Sequence, residues 1–153
     1  MPKIAHIVIN PTAGGYSPKR LAAITAALKG CGFTPEVLPT TGPDDAGLFA
    51  RRICAEEAEP FIIAGGGDGT VNGVVNGLAP GVATLAVIPL GTSNVLAREI
   101  GIVSVDDSLR RIARGAARSM AVGVLEKGEF SRRFLLMAGV GFDGAVVEQV
   151  RLG

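Results

Sequence analysis

The 153 residues contain no tryptophan, one tyrosine, one histidine and two cysteines. With only six phenylalanines besides, platforms on which nucleic-acid bases could stack are scarce. A single histidine, His6, and two cysteines far apart in sequence, Cys31 and Cys54, argue against a tetrahedral zinc site. The cysteines form no CxxC, and the expectation is two buried free thiols in a reducing compartment. His6 lies in an apolar run and is expected at the core or an edge. An excess of either charge is also missing: 15 Lys and Arg face 14 Asp and Glu, a net charge of +1. That argues against a nucleic-acid partner held by a strong basic face. No apolar run approaches the ~20 residues of a membrane span. Ile4 to Ile9 is too short for a signal-peptide core and runs into Asn10-Pro11. A cytoplasmic protein is expected, with any membrane contact peripheral.

What the chain does have is apolar residues (48%) and 22 glycines, enough for one domain with a sizeable core. The organising stretch is Ala64-Gly65-Gly66-Gly67-Asp68-Gly69-Thr70. Phe61-Ile62-Ile63-Ala64 leads into it as a buried strand. From Thr70 onward Val71, Val74, Val75 and Leu78 return at helical spacing. A strand, a glycine turn and a helix start make an anion cradle, because free N–H groups and the helix dipole converge on one point.

Other strands read as Lys3–Ile9, Phe33–Leu38 and Thr84–Ile88. Ser17-Pro18 supplies an N-cap and a first-turn proline for a helix carrying Leu21, Ile24, Ala27 and Leu28. A second helix starts near Asp44 or Asp45 and runs to about Ala58. Leu48, Ile53 and Cys54 are expected inward, and Arg51, Arg52, Glu56 and Glu57 outward. Val95–Ile100 forms a short helix closed by Gly101. Another begins at Asp106 or Asp107, with Leu109, Ile112 and Ala113 inward and a solvated arginine face outward. Met120–Leu125 and Phe130–Met137 read as a hairpin turning at 126–129. A glycine-rich loop at 138–144 and a helix start at Ala145–Arg151 follow.

Strands alternating with helices predict an α/β fold, a three-layer, mainly parallel sheet flanked by helices. Ligands of such sheets bind at the carboxyl ends of the strands. Asn10–Gly15, Gly65–Thr70 and Gly91–Asn94 all occupy such ends and are expected to converge on one cleft. The expected division is a nucleotide-binding α/β domain over 1–125, then, at 126–153, a hairpin and the start of a second, β-rich domain. The short final helix suggests the front part of a longer protein. That short end and the mean hydropathy of +0.40 suggest an exposed apolar patch where a second lobe would sit, and self-association, as a homodimer for instance, is expected.

The Walker pattern is absent, since no lysine follows these glycines. GxGxxG also fails, with Thr70 or Asn72 in its last position. Asn10-Pro11-x-Ala13-Gly14, then Gly66-Gly67-Asp68-Gly69-Thr70 with Asn72, then Pro89-x-Gly91-Thr92-x-Asn94-x-x-Ala97-Arg98, resembles the catalytic domain of the diacylglycerol kinase and sphingosine kinase superfamily, most of all its bacterial soluble members. The resemblance implies a fold like that of NAD kinases and diacylglycerol kinases. It implies ATP with Mg²⁺ and a lipid acceptor at a membrane surface. Asn10, Pro11, Thr12, Ala13 and Gly14 would line the nucleotide, as would Thr41. Gly66, Gly67, Asp68, Gly69 and Thr70 would wrap the phosphates, with Asn72 behind them. Thr92 would touch the nucleotide and Asn94 would support that wall. Asp68 would be catalytic, through Mg²⁺ or by orienting the reacting groups. Val95 stands where many diacylglycerol kinases carry an aspartate, which leans away from a strict diacylglycerol acceptor. The general base is expected beyond Gly153, and Asp143 is not expected to be it.

Blander readings stand beside these. Asp68 also reads as a turn carboxylate accepting backbone N–H bonds, Thr70 as an N-cap, and Asn10 and Asn94 as turn caps. Arg98, Arg110, Arg111, Arg114 and Arg118 read as a basic face for an anionic membrane or, more simply, as solvated. The GGDGT motif alone also suits an NAD kinase-like enzyme. A non-catalytic nucleotide-binding domain is the alternative of another class.

Overall fold

In a computed structural model, the structure describes residues 3–136. The chain divides into two compact units, Met1–Met120 and Ala121–Gly153. The first contains four strands, β1 (Lys3–Ile9), β2 (Phe33–Pro39), β3 (Phe61–Gly66) and β4 (Thr84–Pro89). They form one parallel sheet in the order β2-β1-β3-β4. Five helices accompany them: α1 (Pro18–Gly30), α2 (Asp45–Glu56), α3 (Asp68–Gly77), α4 (Val95–Glu99) and α5 (Val105–Arg114).

The central strands are apolar almost throughout because both faces are covered. Ala5, Ile7, Ile9, Phe61, Ile63 and Ile88 form one cluster with Ile24 and Leu28 of α1 and Ile112 of α5. Successive strand side chains alternate. The equally buried Val8, Ile62 and Ala64 therefore face the other layer, where α2 packs on β1 and α3 on β3. The expected three-layer architecture is what forms.

Local signals hold where they are strong. Ser17 caps α1, its Oγ accepting from the Arg20 N–H at 3.1 Å, and Pro18 takes the first helical position. Gly101 sits at φ 76° after α4, where a side chain would be strained. Four expectations need correction. The helix after β3 begins at Asp68, two residues before Thr70, because Gly67 already serves as its cap. On α2 the buried stripe is Ala46, Ala50 and Ile53, while Leu48 is 56% exposed. The reason is the neighbour: α2 meets α3 through Gly47, Gly73 and Gly77, a contact for small residues only. On α5 the buried residues are Ser108 and Ile112, and Ala113 is exposed. Ser108 donates to the Val87 carbonyl of β4 at 2.6 Å, joining α5 to the sheet. Cys31, just past α1, is exposed rather than buried; Cys54 is half-buried, and both are free.

His6 is buried, as expected. Its Nε2 is hydrogen-bonded to Glu57 at 2.7 Å, and Glu36 approaches Nδ1 at 2.9 Å without hydrogen-bond alignment. Glu57, expected outward, thus reaches the sheet with its side chain 31% exposed. Of the arginines, Arg111 donates to Asp107 and to the Ile100 and Gly101 carbonyls, closing the C-terminal end of α4.

In the second unit β5 (Gly123–Lys127) and β6 (Phe130–Phe134) pair antiparallel. The turn is tighter than the four residues expected, with Gly128 at φ 59°. The Phe134 ring lies over Gly123, where any Cβ would collide with it. The loop at 138–144, Asp143 and the helix start at Ala145–Arg151 lie outside the described residues.

Candidate functional site

The strand order sets the place of the site. From β1 the chain goes to β2 on one side and to β3 on the other, so the order reverses between β1 and β3. Loops leaving the carboxyl ends of two such strands diverge and leave a crevice. The loops after β1, β3 and β4 meet at this end.

The first loop is held by backbone. The Asn10 N–H donates to the Gly65 carbonyl at 2.9 Å, and the Gly15 N–H to the Leu90 carbonyl at 2.8 Å. The Asn10 side chain folds over its own loop, Oδ1 accepting from the Thr12 N–H at 2.9 Å and hydroxyl at 2.8 Å. Asn10 is thus a turn cap, and through the turn it presents Pro11, Thr12, Ala13 and Gly14 at the strand end. Gly15 must be glycine, since a Cβ there would stand 2.7 Å from the Leu90 oxygen.

The second and third loops touch. The Leu90 N–H donates to the Gly66 carbonyl at 3.0 Å. A Cβ on Gly91 would lie 2.4 Å from the Gly67 Cα, and one on Gly66 would lie 2.3 Å from the Thr70 hydroxyl oxygen. Gly67, the cap of α3, has no side chain to fold back on the first turn. No side chain therefore caps the first turn of α3, whose leading N–H groups are the donors an anion takes at a helix start.

Asn94 is the one non-glycine residue with positive φ among the described residues, at φ 47° and ψ 48°. Its amide closes the Gly91 turn, Oδ1 accepting from the Gly91 N–H at 2.9 Å and Nδ2 donating to the Gly91 carbonyl at 2.6 Å. It therefore does not cap α4. Asp68 does so instead, from the start of α3: Oδ2 accepts from the Val95 N–H at 3.0 Å and Oδ1 from the Leu96 N–H at 3.1 Å. Thr92 is exposed at the tip of this loop, and Asn72 is half-buried one turn past Asp68.

Thr41 follows β2, next to β1 in the sheet, and the Thr40 N–H donates to the Ile9 carbonyl at 2.8 Å. The Thr41 hydroxyl is committed locally. Asp45 Oδ2 accepts from the Thr41 N–H at 2.7 Å, the Thr41 hydroxyl at 2.8 Å and the Gly42 N–H at 2.9 Å. Those donors, the Thr41 N–H first, hold the Asp45 carboxyl below its ordinary value of 3.8. A depressed folded value gives stability that is present above 3.8 and is lost as the pH falls through the lower folded value. Asp45→Ala is therefore expected to melt below wild type at neutral pH, the two curves converging in acid. Thermal unfolding against pH checks this; a gap that is constant in acid counts against it.

Sequence reasoning thus named the residues the structure brings together after β1, β3 and β4. It missed Asp45, Gly15 and Gly91 as the parts that hold them. A hollow of about 270 Å³ lined by Pro89, Asn94, Arg98, Ile102, Val103 and Ser104 includes nothing from the first two loops. The described residues do not form a metal cage of their own. No three His, Cys, Asp or Glu side chains gather there, and both oxygens of Asp68 face N–H groups.

Residues 4–125 match the diacylglycerol kinase catalytic domain model. The chain is 38% identical over 144 residues to a diacylglycerol kinase of Bacillus subtilis (strain 168), covering 91% of this chain and 46% of that protein. It is 35% identical over 145 residues to a diacylglycerol kinase of Staphylococcus aureus (strain MRSA252), covering 92% of this chain and 44% of the relative. The chain thus spans about half the length of these relatives. A crystal structure of a diacylglycerol kinase from Bacillus anthracis str. Sterne superposes with a TM-score of 0.76 at 30% identity, covering 99% of this chain and 51% of that one. The chain belongs to the diacylglycerol kinase catalytic domain family.

Proposed function

We propose that this chain is the nucleotide-binding part of an ATP-dependent lipid kinase. The γ-phosphoryl group of ATP passes to a lipid hydroxyl, diacylglycerol-like or sphingoid, at a membrane surface. The observation that carries this is the meeting of the Asn10–Gly15, Gly66–Thr70 and Gly91–Asn94 loops at the strand-order reversal, with glycine backbone against glycine backbone.

In this reading Asn10, Pro11, Thr12, Ala13, Gly14 and Thr41 line the nucleotide, and Thr92 touches it. Gly66, Gly67, Gly69 and Thr70 cradle its phosphates with the first-turn amides of α3, and Asn72 and Asn94 back the two walls. Phosphoryl transfer asks for positioning and charge stabilisation more than covalent help, which backbone donors supply. The lipid oxygen attacks the γ-phosphorus, the bond to the bridging oxygen breaks, and ADP leaves. A divalent ion, if the nucleotide carries one, would add charge neutralisation of its own. We place the base that takes the hydroxyl proton outside residues 3–136.

Calorimetry of the 153-residue chain with ATP and Mg²⁺ tests the binding half. Weak binding with a matching thermal shift is expected, and neither heat nor shift at millimolar nucleotide overturns it. In the full-length protein, labelled ATP is offered to short-chain diacylglycerol, a sphingoid base and NAD. Transfer to a lipid is expected; transfer to NAD alone moves the enzyme to the NAD kinase class.

A further inference from the structure

We propose that Asp68 is a positioning residue that works without a metal: its carboxylate straps the start of α4, and with it the Gly91–Asn94 turn, onto the start of α3. Asn94 stands at the N-cap of α4, where its side chain would ordinarily accept from the helix's first amides. A left-handed backbone turns the amide back on Gly91, and the α4 amides lose their local partner.

A carboxylate from 27 and 28 residues away fills the gap, one oxygen to each amide. A negative charge there is favoured by the helix dipole and by charge-assisted hydrogen bonds. The strap joins two glycine loops already in backbone contact at Gly67 and Gly91. The phosphate cradle and the Thr92 wall are thereby fixed relative to each other.

The same geometry argues against a cation on Asp68. Mg²⁺ is commonly held by one or two carboxylates plus substrate phosphates, so a lone carboxylate is no obstacle by itself. The obstacle is what surrounds it: each oxygen already accepts an N–H from the start of α4, so a cation would have to use the remaining lone pairs beside the positive end of that helix. The amide that Asp68 Oδ2 accepts from belongs to Val95, which brings no second carboxylate.

The effect on nucleotide rests on the reading above, whereas the strap does not, so the experiment has separate arms. In the wild-type chain without nucleotide, the Val95 and Leu96 amides should exchange slowly with solvent. Asp68→Ala should speed both by roughly tenfold or more, and Asp68→Asn, which keeps one acceptor oxygen, should speed one. Equal exchange in all three proteins overturns the strap. Mn²⁺ added alone should leave the amide signals of 67–70 and 94–96 unbroadened, and selective broadening there overturns metal independence. In the third arm, Asp68→Asn should weaken ATP binding by the same factor with Mg²⁺ and with chelator. A loss confined to Mg²⁺ overturns metal independence, and no loss in either condition overturns positioning. Should wild type bind no ATP at all, the nucleotide reading fails while the first two arms still judge the strap.

Discussion

Gly91→Ala is expected to lower ATP affinity by about tenfold or more while leaving the sheet and helices in place, because misplacing a site by about 1 Å is costly. The new Cβ would lie 2.4 Å from the Gly67 Cα and 3.0 Å from both the Gly67 nitrogen and the Asn94 Oδ1. Two of these are backbone atoms, which cannot swing aside as a long side chain does. The loops after β3 and β4 must therefore part until contact returns to an ordinary 3.4 Å or more. That motion pulls the Gly91 N–H from Asn94 and the Val95 and Leu96 amides from Asp68. Stability should fall by only ~1–3 kcal/mol, the usual cost of overpacking. Gly69→Ala is the matching control for stability. Its Cβ meets nothing within 4 Å, and replacing a helical glycine should hold or slightly raise the melting temperature. Calorimetry with ATP, beside circular dichroism, reads both quantities. Wild-type affinity in Gly91→Ala would separate the loop contact from the nucleotide.

The contrast between these two glycines shows what a single sequence discloses. Both sit in glycine-rich motifs, and local spacing does not say which is pressed against backbone. The strands were legible because burial on both faces demands uninterrupted apolar runs, as in Ile7-Val8-Ile9 and Phe61-Ile62-Ile63. The start of α1 was legible because Ser17 and Pro18 act on their own helix. The convergence of three loops followed from strand alternation and from where parallel sheets bind ligands.

What stayed hidden depends on residues distant in sequence. The notion of Asp68 as a carboxylate accepting backbone N–H bonds was available, but its amides belong to a helix that begins 27 residues later. Asp45 was legible as a helix start and not as the anchor of Thr41, since its carboxylate reaches backwards out of the helix. Leu48 misled because an apolar side chain on a helix ordinarily marks the buried face. Here the close partner is another helix, and only Gly47, Ala46 and Ala50 are small enough to meet it.

That helix contact carries the largest expected effect on stability, at Gly77. A Cβ on Gly77 would lie 2.1 Å from the Gly47 carbonyl oxygen and 2.8 Å from the Ala50 Cβ. The first clash is with the backbone of α2, whose Ala50 and Ile53 are buried in the layer. Helix α2 or α3 must shift as a body, and Gly77→Ala should cost ~1–3 kcal/mol or more. For a chain of this size each kcal/mol lowers the melting temperature by roughly 2–4 °C. Since α3 begins at Asp68, its displacement reaches the phosphate cradle, so nucleotide affinity and melting temperature should fall together. In Gly91→Ala, affinity should fall much further than stability. Gly73 supplies the internal check. Its Cβ would meet the Ala46 Cβ at 3.0 Å, a side-chain atom that can be removed. Gly73→Ala should therefore be largely rescued by Ala46→Gly in the double mutant, less what a second helical glycine costs. Gly77→Ala should find no such partner, because residue 47 is already glycine and the obstacle is its carbonyl oxygen. Thermal melts of the four variants decide it: an unchanged Gly77→Ala would mean that α2 and α3 do not approach so closely, and rescue of Gly77→Ala by Ala50→Gly alone would place the obstacle in the side chain instead of the backbone.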